Sequence, residues 1–241
     1  MPKLGIGSSL TRAGLTKPSI VTDSLVLKHN YAAGGVVPVS DGAVHLDGTG
    51  DYIDCGNGAS TNIGAVDMTY SAWIYIKDSS PGSYIIATRN SSGGEFSFFV
   101  NTDRTVRLYL GTAENDTSTT ALDINKWYHV AVVYDHSELD CFYYVNGVAD
   151  GSDTSVTSTG FSDAPDLYIG FRESGESSHH FNGYICNVGF WTEALTQAQI
   201  KSIMWKNYAG LTSTETTGLV SWWNLSADAN DNHGSNDGTL T

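Results

Sequence analysis

From Phe181 to Ile203 the chain reads FNGYICNVGFWTEALTQAQIKSI: an extended run, a bend at Trp191-Thr192-Glu193, and a short helical turn. The turn carries its own start signal. Thr196 is placed to accept from the backbone N–H of Gln199, and Gln199 to reach back, the reciprocal pattern of a capping box. Ile200, Ile203 and Met204 then recur at helical spacing, so one face can lie on a core. Everything before this stretch reads as short strands and turns, and everything after it as an appendage. One helical turn closing a long series of strands restricts the chain to an all-β fold.

The strands are read from period-two alternation. In MTYSAWIYI (68–76), Tyr70, Ala72, Ile74 and Ile76 fall on one side and Ser71, Trp73 and Tyr75 on the other. KWYHVAVVY (126–134) is the clearest run, and 142–145 follows it into Asn146-Gly147, a pair that favours a type I′ hairpin turn. Val44 to Cys55 brackets the turn Asp47-Gly48-Thr49-Gly50. Further runs at 84–88, 96–100, 105–110, 167–171 and 184–191 complete the series. Turns every 8–12 residues and no repeat of solenoid period predict an antiparallel sandwich. Trp73 and Trp127, on regular strands, are expected in the core.

Composition bounds the partners. The 241 residues hold 12 basic and 26 acidic side chains, a formal charge of −14. Such a field repels phosphate backbones, so nucleic acid is excluded as a partner. No apolar run approaches the roughly 20 residues of a membrane span, and Met1 to Leu10 lacks the apolar centre of an export signal. Synthesis in a cytoplasm without membrane insertion is the expectation. Cys55, Cys141 and Cys186 have no CxxC spacing, and read either as one disulfide plus a thiol or as three buried thiols.

The ordered series LDGTGDYIDCGN (46–57), MTYSAWIYI (68–76), NKWYHVAVVYD (125–135), YYVNG (143–147), LYIGFR (167–172) and FNGYICNVGFWTEALTQAQI (181–200) resembles the laminin-G-like, concanavalin A-like lectin/glucanase superfamily. The resemblance implies an antiparallel jelly-roll β-sandwich with one short C-terminal helix, a module that more often binds than catalyses. With the composition of the ends, the chain divides into three segments: an N-terminal arm (1–24), rich in Gly, Ser, Thr and Lys and either flexible or docking; the sandwich (25–210); and an extension (211–241), too short to bury a core alone, that packs on the sandwich or on a neighbour. The opening MPKLGIGSSLTRAGL is similar to openings of structural proteins of marine bacteriophages that carry this domain. The tail from Gly218 resembles the first strand and loop of another such domain, cut short.

Candidate chemistry is limited. The closest approach to a glycosidase Glu-x-Asp-x-x-Glu strand is Glu138-Leu139-Asp140-Cys141-Phe142-Tyr143, where Tyr143 replaces the last acid and the segment reads as a turn. No nucleophile elbow, HExxH helix or phosphate loop is present. A glycan site needs aromatic faces beside polar side chains, which Tyr84, Arg89, Asn90, Tyr109, Arg172 and His180 supply in loops and at strand ends. Calcium is the one cofactor that the sequence admits, none being required, with Asp47, Asp51, Asp54 and Asn187 as ligands. In relatives the closing strand can contribute acidic residues to such a site; here Cys186 and Asn187 hold those places.

The sequence therefore predicts a non-enzymatic virion structural protein, a capsid decoration or tail-associated subunit. Its arm would attach it to other virion proteins and its sandwich would face outward as a homo-oligomer, a trimer being favoured. The alternative is a carbohydrate-binding adhesion module, extracellular, that engages cell-surface polysaccharide. A glycosidase ranks third.

Overall fold

Residues 68–76 and 127–134 alternate as the sequence requires, and pairing them gives the centre of the fold. In the computed structural model, which describes residues 36–58, 66–80, 82–89, 95–110, 113–156, 166–172 and 179–241, strands β3 (Met68–Asp78) and β8 (Trp127–Asp135) are antiparallel neighbours. The arm 1–24 and the expected first strand near Leu25 lie outside the described residues.

The first sheet adds β1 (Val44–Asp47), β9 (Asp140–Val145), β10 (Val148–Asp153), β14 (Asn182–Trp191) and β15 (Leu219–Trp223). Its order is β1-β14-β3-β8-β9-β10, with β15 also on β14. The second sheet comprises β2 (Ile53–Asp54), β4 (Ser83–Arg89), β5 (Glu95–Val100), β6 (Val106–Leu110), β7 (Ala113–Thr117), β11 (Asp166–Ile169) and β16 (Thr239–Leu240), in the order β16-β2-β11-β4-β5-β6-β7. A separate ribbon pairs β12 (Phe171–Arg172) with β13 (His179–His180). All pairings are antiparallel.

The core lies between the sheets. Tyr70, Ala72, Ile74 and Ile76 of β3 meet Phe96, Phe98, Leu108 and Leu110 of the second sheet, all of them buried. Tyr70 is stacked between Phe96 and Phe190, with centroids 4.2 Å and 4.5 Å away. The β9–β10 hairpin turns at Asn146 and Gly147 with φ of 51° and 73°, the two positive values that a type I′ turn needs. The turn at Asp47–Gly50 does something else, since β1 belongs to one sheet and β2 to the other, so it carries the chain across the sandwich.

Helix α1 (Gln197–Ile203) has the capping box read from the sequence, Thr196 with Gln199. It covers the outer face of the first sheet. Ile200, Ile203 and Leu195 pack there on Ala131, Val133, Trp191 and Trp222, and the Trp73 indole N–H donates to the Met204 carbonyl at 2.8 Å. Trp73 is buried, whereas Trp127 is half-exposed on the same outer face, a correction to its expected core position. Trp127 packs at the edge of the buried cluster of Trp73, Cys186 and Met204.

Segment 211–241 is built into both sheets. One edge of β14 pairs with β1 at residues 182–185 and with β15 at 188–191, so two short strands share it end to end. β16 then pairs with β2 in the opposite sheet. Between them Asp231 accepts from the backbone N–H groups of Trp222, His233, Gly234 and Asn236, and so fixes the loop. Trp222 and Trp223 are fully buried. The driving force is apolar: both indoles would otherwise face water.

All three cysteines are free and buried, so of the two readings the one with three thiols holds. Among the described residues no helix is long and apolar enough to cross a membrane.

Candidate functional site

The core-facing side of the second sheet is filled by aliphatic and phenyl groups, and its other side is where the aromatic–polar residues gather. Cross-strand register decides which ones meet. Tyr168 of β11 stands opposite Ala87, Ala87 opposite Ser97, and Ser97 opposite Tyr109, so these four share the outer face. In the next row Tyr84 stands opposite Phe99, and Phe99 opposite Arg107. Tyr84 and Phe99 stack, with centroids 4.7 Å apart and planes 10° apart.

The β12–β13 ribbon stands beside this face. Its register pairs Arg172 with His179 and Phe171 with His180, so each pair occupies one side of the ribbon. On one side the Arg172 guanidinium lies 5.4 Å from the Tyr84 ring centre and 5.8 Å from that of Tyr109, and its Nη1 donates to the Tyr84 hydroxyl at 3.3 Å. The His179 ring meets Tyr84 edge-on at 5.4 Å. On the other side Phe171 stacks on Tyr52 at 4.6 Å, with Tyr168 edge-on to Phe171 at 5.3 Å and His180 at 4.7 Å from it. The His180 Nδ1 is buried without a hydrogen-bond partner.

Of the six residues proposed for glycan contact, Tyr84, Tyr109 and Arg172 come together directly. His180 belongs to the adjoining Tyr52–Tyr168–Phe171 cluster. For Arg89 only the strand pairing is described, opposite Asp166 and Glu95, and Asn90 lies outside the described residues. Tyr84 is 7% exposed and forms the floor, while Tyr109, Arg172, His179 and the second cluster are half-exposed. Phe99, Phe171 and Tyr52 escaped sequence reasoning. Each joins the site through a partner distant in sequence, and no local pattern announces that.

Such an arrangement offers what a sugar ring needs. Ring faces receive the apolar C–H side of a pyranose, and a guanidinium fixed over two rings offers N–H donors in a plane. Aromatic stacking holds Arg172 in place before any ligand arrives, so little further ordering is required on binding.

The calcium ligands behave differently. Asp47 accepts from the N–H and hydroxyl of Thr49 and the N–H of Gly50, and these bonds hold its carboxyl below the usual carboxylate range. Asp51 accepts from the Asp47 N–H and Asp54 from the Gly56 N–H. These are turn-closing contacts. Asn187 is 1% exposed at φ 49°, in the bulge of β14, where its Nδ2 donates to the carbonyls of Val39 and Lys206. It sits five positions along β14 from Asn182, the cross-strand partner of Asp47, or roughly 16 Å at strand spacing. The structure thus separates Asn187 from the aspartates and makes it a latch between segments. Among the described residues no three His, Cys, Asp or Glu side chains converge as a metal site.

Residues 47–201 match the family model described as concanavalin A-like lectin/glucanases superfamily, well over half of the chain. The chain belongs to this superfamily. As a superfamily member it is similar to a protein of Bacteroides ovatus described as a candidate carbohydrate-binding protein, with TM-score 0.65 and 22% identity. That match covers 83% of this chain and 57% of the Bacteroides chain, so the present sequence spans little more than half of that protein. The CBM40 module of the Ruminococcus gnavus IT-sialidase, solved with α2,3-sialyllactose, gives TM-score 0.57 at 10% identity over 71% of this chain and 100% of the module. The heptameric SAP-like pentraxin of Limulus polyphemus gives 0.56 at 19% identity, covering 70% and 84%. No curated protein matches the sequence. At these identities the likenesses establish the fold alone.

Proposed function

We propose that this superfamily member is a non-catalytic carbohydrate-binding module. Its ligand contacts Tyr109, Arg172 and His179 over the Tyr84–Phe99 floor, on the outer face of the second sheet. The observation that carries the reading is the Arg172 guanidinium held over two tyrosine rings on a sheet face that the core does not use. Similar structures whose descriptions name carbohydrate binding support the ligand class.

Binding is favoured over hydrolysis by the hairpin at Glu138. The Asp135 carboxylate closes that turn by accepting from Ser137 and Glu138, Glu138 is exposed, and Tyr143 is buried in the core. The acid that a glycosidase would need at 143 has no substitute there. The virion-surface expectation rests on chain ends of which 1–24 lie outside the described residues, and none of the relatives named above is a virion protein.

A glycan array tests the proposal. The wild-type chain should bind at least one saccharide, and Tyr109→Ala should lose that signal while keeping the wild-type melting temperature. Silence across a broad array, or an unchanged Tyr109→Ala profile, would contradict it.

A further inference from the structure

The outer face of the first sheet carries half-exposed rings of its own. Cross-strand pairing sets Tyr184 of β14 opposite Tyr75 of β3, and Tyr75 opposite Trp127 of β8. The three pack as a triangle, with centroids 5.6 Å apart for Tyr75 and Tyr184, 5.6 Å for Tyr75 and Trp127, and 6.4 Å for Trp127 and Tyr184. His45 of β1 adds a fourth ring, 4.9 Å from Tyr184. The neighbouring row of Cys186, Trp73 and His129 is buried, and Trp127 packs against its Trp73–Cys186–Met204 cluster. Trp205, which follows the helix, lies 6.1 Å from Trp73 and is 50% exposed. Among the described residues it is the one exposed Trp, Tyr or Phe side chain. Val39, also exposed, joins this end, since its carbonyl and that of Lys206 accept from the same Asn187 amide. Trp205 and the triangle thus flank one buried tryptophan and form a single aromatic surface.

Charge selects what can meet this surface. The rows His45–Tyr184–Tyr75–Trp127 and Cys186–Trp73–His129 hold no carboxylate, in a chain that has 26. The Lys77 Nζ lies 4.8 Å from the Tyr184 ring centre and 2.8 Å from His45 Nε2, and among the described residues no carboxylate pairs with it. Two copies of net charge −14 repel each other over most of their surfaces, and the repulsion is least where two carboxylate-free faces meet. Symmetry selects the same arrangement. A contact between unlike faces needs a second patch to receive the first, whereas a two-fold contact uses one patch twice. The other exposed large apolar side chains among the described residues, Val66, Ile124, Leu139, Val148 and Leu240, join none of the apolar clusters. The rings of the opposite sheet surround the Arg172 guanidinium, a cation that would meet Lys77 with like charge.

Size sets the strength of the contact. A large aromatic side chain offers roughly 150–250 Å², and of these rings only Trp205 is half free, so the surface supplies on the order of 300 Å² per copy. A stable pair buries about 800 Å² per partner, so this contact is weak and is driven by concentration. We infer that the face of Trp205, Trp127, Tyr75 and Tyr184 is a homodimer interface, at which two copies of this chain meet about a two-fold axis and separate on dilution. Trp205 and Trp127 supply the apolar anchors, and Lys77 and His45 the polar rim. The interface stands independently of the saccharide site. Combined with it, the dimer leaves both Arg172 sites open, because they lie on the other sheet, and so presents two binding sites in one particle.

Sedimentation velocity of the full chain, from about 10 μM to about 1 mM, tests this. The wild type should pass from monomer towards dimer and no further, and added salt should strengthen association by screening the like charge of the copies. Trp205→Ala and Tyr184→Ala should each weaken association at least tenfold while keeping the wild-type melting temperature, and Lys77→Glu should weaken it at low salt. Arg172→Ala and Leu240→Ser, on other surfaces, should leave it unchanged. The inference is overturned if the wild type stays monomeric throughout, the result expected of a surface that serves a different protein. It is overturned equally if folded Trp205→Ala associates as the wild type does, if association continues beyond the dimer, or if Leu240→Ser abolishes it. No glycan enters the measurement, so its outcome is separate from that of the array.

Discussion

At the scale of single residues, burial sets the chemistry. Desolvation pushes the Cys186 thiol up to about 12 and raises Cys55 and Cys141 further, so none offers a thiolate at neutral pH. A thiol reagent should titrate no cysteine in the folded protein and three after denaturation; fast labelling of the native state would contradict the burial. Two other groups make the protein acid-sensitive. Burial lowers His129 from 6.5 to about 3. The unfolded chain therefore takes up a proton below pH 6.5 that the fold refuses, and stability declines as pH falls from 6.5 towards 3. Burial alone would raise Glu215, but hydrogen bonds from Lys206, Ser202 and Thr212 outweigh it and hold the carboxyl at about 2. Its contribution is complete above pH 4.5 and is lost as pH falls through 2. Melting temperature should be flat above pH 6.5 and fall steadily below it. Glu215→Gln should be less stable at pH 7 and show a shallower fall between pH 4.5 and 2.

At the scale of elements, close approach and edge pairing decide what the chain tolerates. Gly183 sits at φ 150° where β14 bulges against β3, and a Cβ there would lie 1.9 Å from the Tyr75 carbonyl oxygen. Backbone cannot yield as a flexible side chain does, so Gly183→Ala should cost several times the ~1 kcal/mol of an ordinary substitution, read from chemical denaturation. The tail is as integral as any strand. Trp223→Ala should cost about 3–5 kcal/mol, and a chain ending at residue 210 should fail to fold, since the β14 edge at 188–191 and the β2 edge at 53–54 would lose their partners. A soluble, cooperatively melting 1–210 fragment would contradict this. These elements also show how far the sequence can be read. Alternation at 68–76 and 126–134, the Asn146-Gly147 turn and the Thr196 capping box are local signals, and each is realised. The place of 219–223 on β14 is a long-range pairing with no local signature, which is why the tail reads as an appendage.

For the molecule as a whole, the two outer faces are treated differently. Helix α1 and the segment after it pack on the outer face of the first sheet, whereas the outer face of the second sheet carries Tyr84 and Tyr109 with Arg172 held over them. Residue type was enough to nominate those three, because a cation and tyrosines at strand ends are the usual means of holding a sugar. Phe99, the ribbon that brings Arg172 across, and the separation of Asn187 from Asp47 depend on contacts and register between segments as far as 135 positions apart in sequence, as Asp47 and Asn182 are, and register is not written locally. The most direct test of the central claim is calorimetric titration of Arg172→Ala with the glycan that the wild-type chain binds best on an array. Affinity should fall at least tenfold, with unchanged melting temperature and partial recovery in Arg172→Lys. Wild-type affinity in a folded Arg172→Ala protein would contradict the account.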